Sequence, residues 1–200
     1  MNSTAITKPD RICVPHHISQ AKELFINARH RDRSIRLMDL LRVQPYQHIL
    51  ETGFGNGSLM EEVARKLQVG FIAGNEPNPD LFRLAWQRNK KFVHRQLMQL
   101  HAGELEELPY PPYYFHSVYG SNVYRTWQKP VNALMHLHRL LKQDGKLVLI
   151  FQEHRNAGEQ QLKQHAKKHE EELFTAGFVS AEFFFQPTSK GTEVMVVGRK

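Results

Sequence analysis

The sequence contains one cysteine, Cys13, in 200 residues, so no disulfide can form within the chain and the small disulfide-stapled folds are excluded. It has no run of the roughly 18 apolar residues that a membrane helix needs, and its opening MNSTAITKPDR is polar where a secretory signal would be apolar. A cytoplasmic protein without membrane insertion is the expectation. Metal-ligand spacing is also missing. His165 and His169 share a helical face, but Ala166 stands where a zinc-protease motif has glutamate, and His136 and His138, two apart, cannot face one site. No metal is expected. Neither internal repeats nor low-complexity linkers interrupt the chain.

What remains is an ordinary globular composition, 40% hydrophobic and 24% charged, long enough to bury a core. The formal charge of +7 is uneven: residues 1–46 carry eight basic and four acidic residues, more than half of the excess. Arg29, Arg33 and Arg36 would stack along one helical face beside the stripe of Leu37, Leu40 and Leu41, which reads as a solvated basic face.

Residues 1–20, with Pro9, Pro15 and the pair His16-His17, show no sustained period and read as an arm. A helix over about 20–41 is separated by Pro45 from a strand at 47–52. Helices at 57–67 and 79–91 then alternate with strands at 70–74, 97–101 and 117–120, followed by a helix at 130–141 and a strand at 146–151. A charged helix at 159–175 precedes two strands, 178–186 and 193–197, joined by the turn residues 188–191. This predicts an α/β fold: a Rossmann-like, doubly wound, mostly parallel sheet of seven strands with an antiparallel C-terminal hairpin strand.

The strongest local signal is Ile49-Leu50-Glu51-Thr52-Gly53-Phe54-Gly55-Asn56-Gly57, a buried strand running into three glycines at alternate positions. Such a turn bends tightly and lets a ligand approach the main chain without meeting a Cβ. The dinucleotide fingerprint wants its third glycine or alanine one residue later, where Ser58 stands, which disfavours NAD. The second strand ends in an acid, Glu76, placed to accept from both hydroxyls of a ribose. A further acid, Glu104, follows the third strand and would accept from an adenine amine.

With these segments in this order, the chain over roughly residues 36–200 resembles the class I S-adenosylmethionine-dependent methyltransferases, and especially the ubiquinone and menaquinone methyltransferase-like (type 11) group. Gly74-Asn75-Glu76-Pro77-Asn78 is similar to the acid-ended second strand of that family, and Gly103-Glu104-Leu105 through Leu108-Pro109-Tyr110 to its adenine-binding segment. Ser121-Asn122-Val123-Tyr124, Arg139 through Leu147 and Ala176-Gly177-Phe178 resemble its later landmarks. The resemblance implies S-adenosylmethionine as cofactor. Glu51, Gly53, Gly55 and the main chain near Asn122 would surround its methionine, Glu76 its ribose, and Asn78, Glu104 and Leu105 its adenine; Phe54, Gly57 and Pro77 complete the cofactor-binding set. It also implies two parts, an N-terminal arm and helix over residues 1–35 that would close as a lid, with His16, His17 and Phe25, and a methyltransferase domain over 36–200. The chain departs from the family where His116, rather than the usual aspartate, follows Phe115, and where Gln143-Asp144-Gly145 replaces Pro-Gly-Gly.

Methyl transfer is an in-line displacement at a sulfonium, so the protein mainly aligns the acceptor and excludes water. For a hydroxyl acceptor, His154, just beyond the fifth strand, is the expected base. Tyr124, Arg125 and Trp127 follow the fourth strand and would line the pocket of a small-molecule acceptor. Pro111-Pro112-Tyr113 lacks the polar residue and position of the amino-methyltransferase signature, and Cys13 is far from the thiolate position that pyrimidine-carbon methylation requires. Two alternatives stand beside this reading. The basic N-terminus and a pI of about 9.6 suit RNA methylation, and a cofactor-binding protein without transfer would equally lack an acceptor-activating group.

Overall fold

The computed structural model describes residues 33–153, 158–188 and 191–200. Cys13, His16, His17, Phe25, Arg29 and His154, and with them the expected arm and lid, lie outside these residues. The N-terminal helix is described from Arg33 as α1 (Arg33–Leu41). There follow β1 (His48–Thr52), α2 (Ser58–Ala64), β2 (Phe71–Glu76), α3 (Pro79–His94), β3 (Met98–Ala102), β4 (Phe115–Ser121), α4 (Pro130–Leu140), β5 (Leu141–Gln152), α5 (Glu159–Thr175), β6 (Ser180–Thr188) and β7 (Gly191–Arg199). Single 3-10 turns at Leu105–Glu107 and Tyr124–Thr126 flank β4.

The seven strands form one sheet in the order β3-β2-β1-β4-β5-β7-β6. All neighbours from β3 to β5 are parallel, and β7 runs antiparallel between β5 and β6. The order reverses direction between β1 and β4, so this fold opens its crevice beyond the carboxyl ends of those two strands. The parallel strands are buried on both faces, which is why they read as apolar runs rather than alternations. One face is covered by α1, α2 and α3 over Leu37, Ile49, Met60, Ile72, Tyr119 and Ile150. The other is covered by α4 and α5 over Leu50, Phe115, Val118, Leu134, Leu137 and Leu149. Among the described residues no helix is long and apolar enough to cross a membrane.

Helix starts follow local chemistry. Asn78 Oδ1 caps α3 by accepting from the N–H groups of Asp80 and Leu81 at 2.9 and 3.1 Å, and Pro79 occupies the first helical position, where its missing N–H costs nothing. At the opposite edge of the sheet, the ring Nδ1 of His116 accepts from the His48 N–H at 3.0 Å. His116 thereby ties the entrance of β1 to β4, where the register of β4 against β5 shifts. An acceptor is all this position needs, so an imidazole serves in place of a carboxylate.

The basic face expected on α1 takes a different form. Arg36 is only 2% exposed, and its guanidinium donates to Glu193 Oε1 on β7, with Nε at 2.9 Å. Arg33 Nε donates to Glu193 Oε2 at 2.5 Å, and its Nη1 reaches Ser121 Oγ at 3.5 Å. These two arginines are interior anchors, because a helix packed on a sheet turns one stripe inward and here that stripe includes the cations. Spacing along the helix could not disclose the carboxylate 157 residues away.

Candidate active site

The turn after β1 is built by its glycines and by Glu76. Gly53 and Gly55 have φ of +62° and +56°, a left-handed conformation that side chains disfavour. Their surroundings differ. A Cβ on Gly53 would stand 2.3 Å from Val123 Cγ1, so this glycine lets the turn pack against the chain leaving β4. A Cβ on Gly55 would meet nothing within 4 Å, so that stretch of main chain faces open space. Gly57 packs against α3, where a Cβ would strike Asn89 and Ala85, and Asn89 Nδ2 donates to the Gly57 carbonyl at 3.0 Å. The Phe54 side chain is buried against Phe82, while its N–H donates to the Asn75 carbonyl at 3.1 Å.

Glu76 links the turn to the end of β2. Its Oε2 accepts from the Gly55 N–H at 2.8 Å and its Oε1 from the Asn78 N–H at 2.9 Å, and the residue is 6% exposed. Each oxygen retains a lone pair, the arrangement needed to receive two further hydroxyls. Pro77 and Asn78 are exposed beside it. Gly103 donates its N–H to the Glu76 carbonyl at 3.2 Å, which brings the chain beyond β3 to the same edge. There Glu104 is exposed and Leu105 is buried in the core.

Glu51 lies under the turn, 2% exposed, and accepts from the Tyr119 hydroxyl at 2.6 Å. Burial raises its carboxyl to about 8; the Tyr119 hydrogen bond offsets part of that rise and the charge of Glu76 adds to it. A carboxyl in this position has unspent affinity for a cation.

Beyond β4 and β5 the groups are different. Asn122 is exposed, its N–H donating to the Ile150 carbonyl at 2.7 Å and its Oδ1 accepting from the Gln152 N–H at 3.3 Å, so the two strand ends are stitched together. Tyr124 is buried, stacked near Phe151 and Trp127, with its hydroxyl donating to Glu172 on α5. Trp127 is half-buried and Arg125 exposed. Arg125 Nη2 lies 2.6 Å from Oε2 of Glu153, a residue 2% exposed at the end of β5, and His165 Nδ1 on α5 lies 3.3 Å from Glu153 Oε1. His169, one turn further, packs edge-on against Tyr124 and Phe151, and burial lowers its imidazole to about 4.

Sequence reasoning passed over Glu153, Tyr119, His165 as a site group, and Glu193. Glu153 had a usable signal. It is an acid directly after an apolar strand, the same pattern that singled out Glu76.

Residues 50–149 match the family profile described as a methyltransferase domain. The chain belongs to this family, the class I S-adenosylmethionine-dependent methyltransferases. Its curated relatives include the uncharacterized methyltransferase YdaC of Bacillus subtilis, 24% identical over 153 residues that span 76% of this chain and 82% of that protein. The fold matches that of a SAM-dependent methyltransferase from Aquifex aeolicus with a TM-score of 0.65 at 15% identity, over 84% of this chain and 89% of that one. It also matches a phosphoethanolamine N-methyltransferase from Haemonchus contortus, solved with phosphomonomethylethanolamine and S-adenosylhomocysteine, with a TM-score of 0.68 at 14% identity, over 84% of this chain and 52% of that one. The methyltransferase therefore uses S-adenosylmethionine, and the open turn at Gly55 with two buried acids beside it fits that cofactor. The family match ends at Leu149, before Glu153 and α5.

Proposed function

We propose that this methyltransferase acts on a small-molecule acceptor, with the cofactor over β1–β3 and the acceptor over the ends of β4 and β5. The observation that carries the cofactor half is the Glu76 carboxylate, held by the N–H groups of Gly55 and Asn78 at the rim of the open turn. In this reading Glu76 binds the ribose hydroxyls, with Pro77 beside it. Gly53 and Gly55 admit the methionine portion, and Glu51 and the main chain near Asn122 face its charged groups. Exposed Glu104 receives the adenine amine, with Leu105 beneath the ring. Phe54, Gly57 and Asn78 shape this cavity from behind, through Phe82, Asn89 and the α3 cap respectively.

When bound, S-adenosylmethionine supplies a methyl group already activated by a positively charged sulfur. The protein's part is then to align and desolvate the acceptor. Trp127 and Arg125 supply an aromatic wall and a cation, and Tyr124 supports them from the core. The small-molecule reading is favoured over RNA because Arg33 and Arg36 are engaged with Glu193 and do not form a solvated basic track. Transfer of labelled methyl to a small-molecule panel and to total RNA, at two salt concentrations, tests it. Label in small molecules alone is expected, and salt-sensitive labelling of RNA would overturn the assignment.

A further inference from the structure

The acceptor half contains a charged cluster that the cofactor reading leaves unused. Glu153 is 2% exposed at the carboxyl end of β5, one residue beyond the Gln152 N–H that Asn122 holds to the end of β4. It stands at the edge of the crevice, on the acceptor side of the point where strand order reverses. Its Oε2 is buried and accepts no hydrogen bond among the described residues; the 2.6 Å contact with Arg125 Nη2 is an ion pair. Its Oε1 faces His165 Nδ1 at 3.3 Å. Carboxylate oxygens only accept, so the proton of a neutral His165 ring belongs on Nδ1 and the lone pair on Nε2. The His165 side chain is 39% exposed, within reach of a bound molecule.

The other imidazole of α5 is placed differently. His169 is 12% exposed, wedged against Tyr124 and Phe151, and its Nδ1 lies 3.3 Å from Glu172. It is a packing group with no access to a substrate. Lys168 lies 3.9 Å from Glu172 and is turned toward it rather than toward Glu153. The charged groups facing His165 are thus Glu153 from β5, Arg125 from the turn after β4, and His169 from its own helix.

We propose that His165 is the proton acceptor of the methyl transfer, positioned by Glu153, and that the methyl acceptor is a phenolic hydroxyl; this rests on the reading of the β4–β5 edge as the acceptor site. The phenol oxygen forms a bond to the methyl carbon as the carbon–sulfur bond breaks. The sulfur keeps that electron pair and becomes a neutral thioether, and the phenolic proton passes to His165 Nε2. The resulting imidazolium is stabilised by Glu153. Arg125 faces the same carboxylate and favours the negative charge that develops on a phenol oxygen, and Trp127 offers a ring for the phenol to pack against. An amine acceptor would gain no help from a neighbouring guanidinium. This replaces His154 as base with a histidine that has a carboxylate behind it.

The test uses the full chain in two independent ways. Nitrogen-15 spectra of the imidazoles, without acceptor, are expected to show His165 protonated on Nδ1 in the wild type and a mixed tautomer in Glu153→Ala. A wild-type ring protonated on Nε2, or one indifferent to Glu153→Ala, overturns the positioning role. In methyl transfer to simple phenols and catechols, His165→Asn should lower kcat by about 100-fold or more with KM and S-adenosylhomocysteine affinity within about twofold. Added imidazole should restore part of the rate to His165→Gly. Unchanged kcat in His165→Asn overturns the base assignment. A wild type that binds S-adenosylhomocysteine yet methylates a thiol, amine or alcohol and no phenol overturns the acceptor class alone, whereas label confined to RNA overturns the underlying reading.

Discussion

On the β1–β3 side of the crevice, Glu76 is held by two main-chain N–H groups within 21 residues of it, whereas on the β5–β7 side the buried acids Glu153 and Glu193 are held by arginine and histidine side chains from distant elements. The two arrangements follow from what each half must do. A cofactor common to a whole family can be bound by a main-chain cradle, which is rigid and indifferent to side-chain drift. A site for an individual acceptor needs charged and aromatic side chains that each family member can change. Glu51 and Tyr119 lie at the seam, a side-chain pair 68 residues apart beneath the cradle.

The sharpest way to break the cradle is Gly55→Asp. Aspartate tolerates the left-handed φ of this position better than most residues, so the protein should remain folded, but a carboxylate would project into the open space. Titration calorimetry with S-adenosylhomocysteine should register no binding, and heats like those of the wild type would remove the turn from the site. On the other side, Arg36→Met leaves Glu193 buried with one cation fewer. Urea unfolding should show a loss of about 3 kcal/mol, the scale for breaking a buried ion pair. The double variant Arg36→Met with Glu193→Leu should recover part of that loss, and equal losses in both would show that the pair is not what anchors α1.

A milder prediction concerns Glu76→Ala, which removes the expected ribose ligand but leaves the main-chain cradle. S-adenosylhomocysteine affinity should fall by roughly 1–3 kcal/mol, as for other charged hydrogen bonds, and an unchanged dissociation constant would take Glu76 out of the site. The smallest effects are in the pH dependence of thermal unfolding. Burial raises Glu51 from 4.5 to about 8, so the unfolded chain ionises first; its contribution is complete below about 4.5 and is lost as pH rises through about 8. Burial lowers His169 from 6.5 to about 4, so the unfolded chain takes up the proton first; its contribution is complete above about 6.5 and is lost as pH falls through about 4. Glu51→Gln should flatten the alkaline decline and His169→Phe the acid one. If each variant keeps the wild-type slope in its own window, the two groups are not the source of those declines.

The same contrast explains how much could be read before the fold was known. β1, β2, α3 and β3 and the glycine turn were legible because their chemistry is contiguous: an apolar run, glycines at alternate positions, an acid at a strand end, an Asn-Pro helix start. The sheet and its terminal hairpin were legible for the same reason, though not the insertion of β7 between β5 and β6. Separation along the chain hid Glu153 and His165 from each other, and likewise Arg36 and Glu193.

Taken alone, the amino-acid order determined the alternation of strand and helix and the cofactor turn, since periodicity and turn chemistry act between near neighbours. Tertiary structure alone decided that the arginines of α1 turn inward, that Asn78 and Gly57 are spent on α3, and that a carboxylate and an imidazole meet beside the acceptor edge. Those outcomes depend on which faces of distant elements come to lie against one another, and burial of the whole core settles that rather than any local preference.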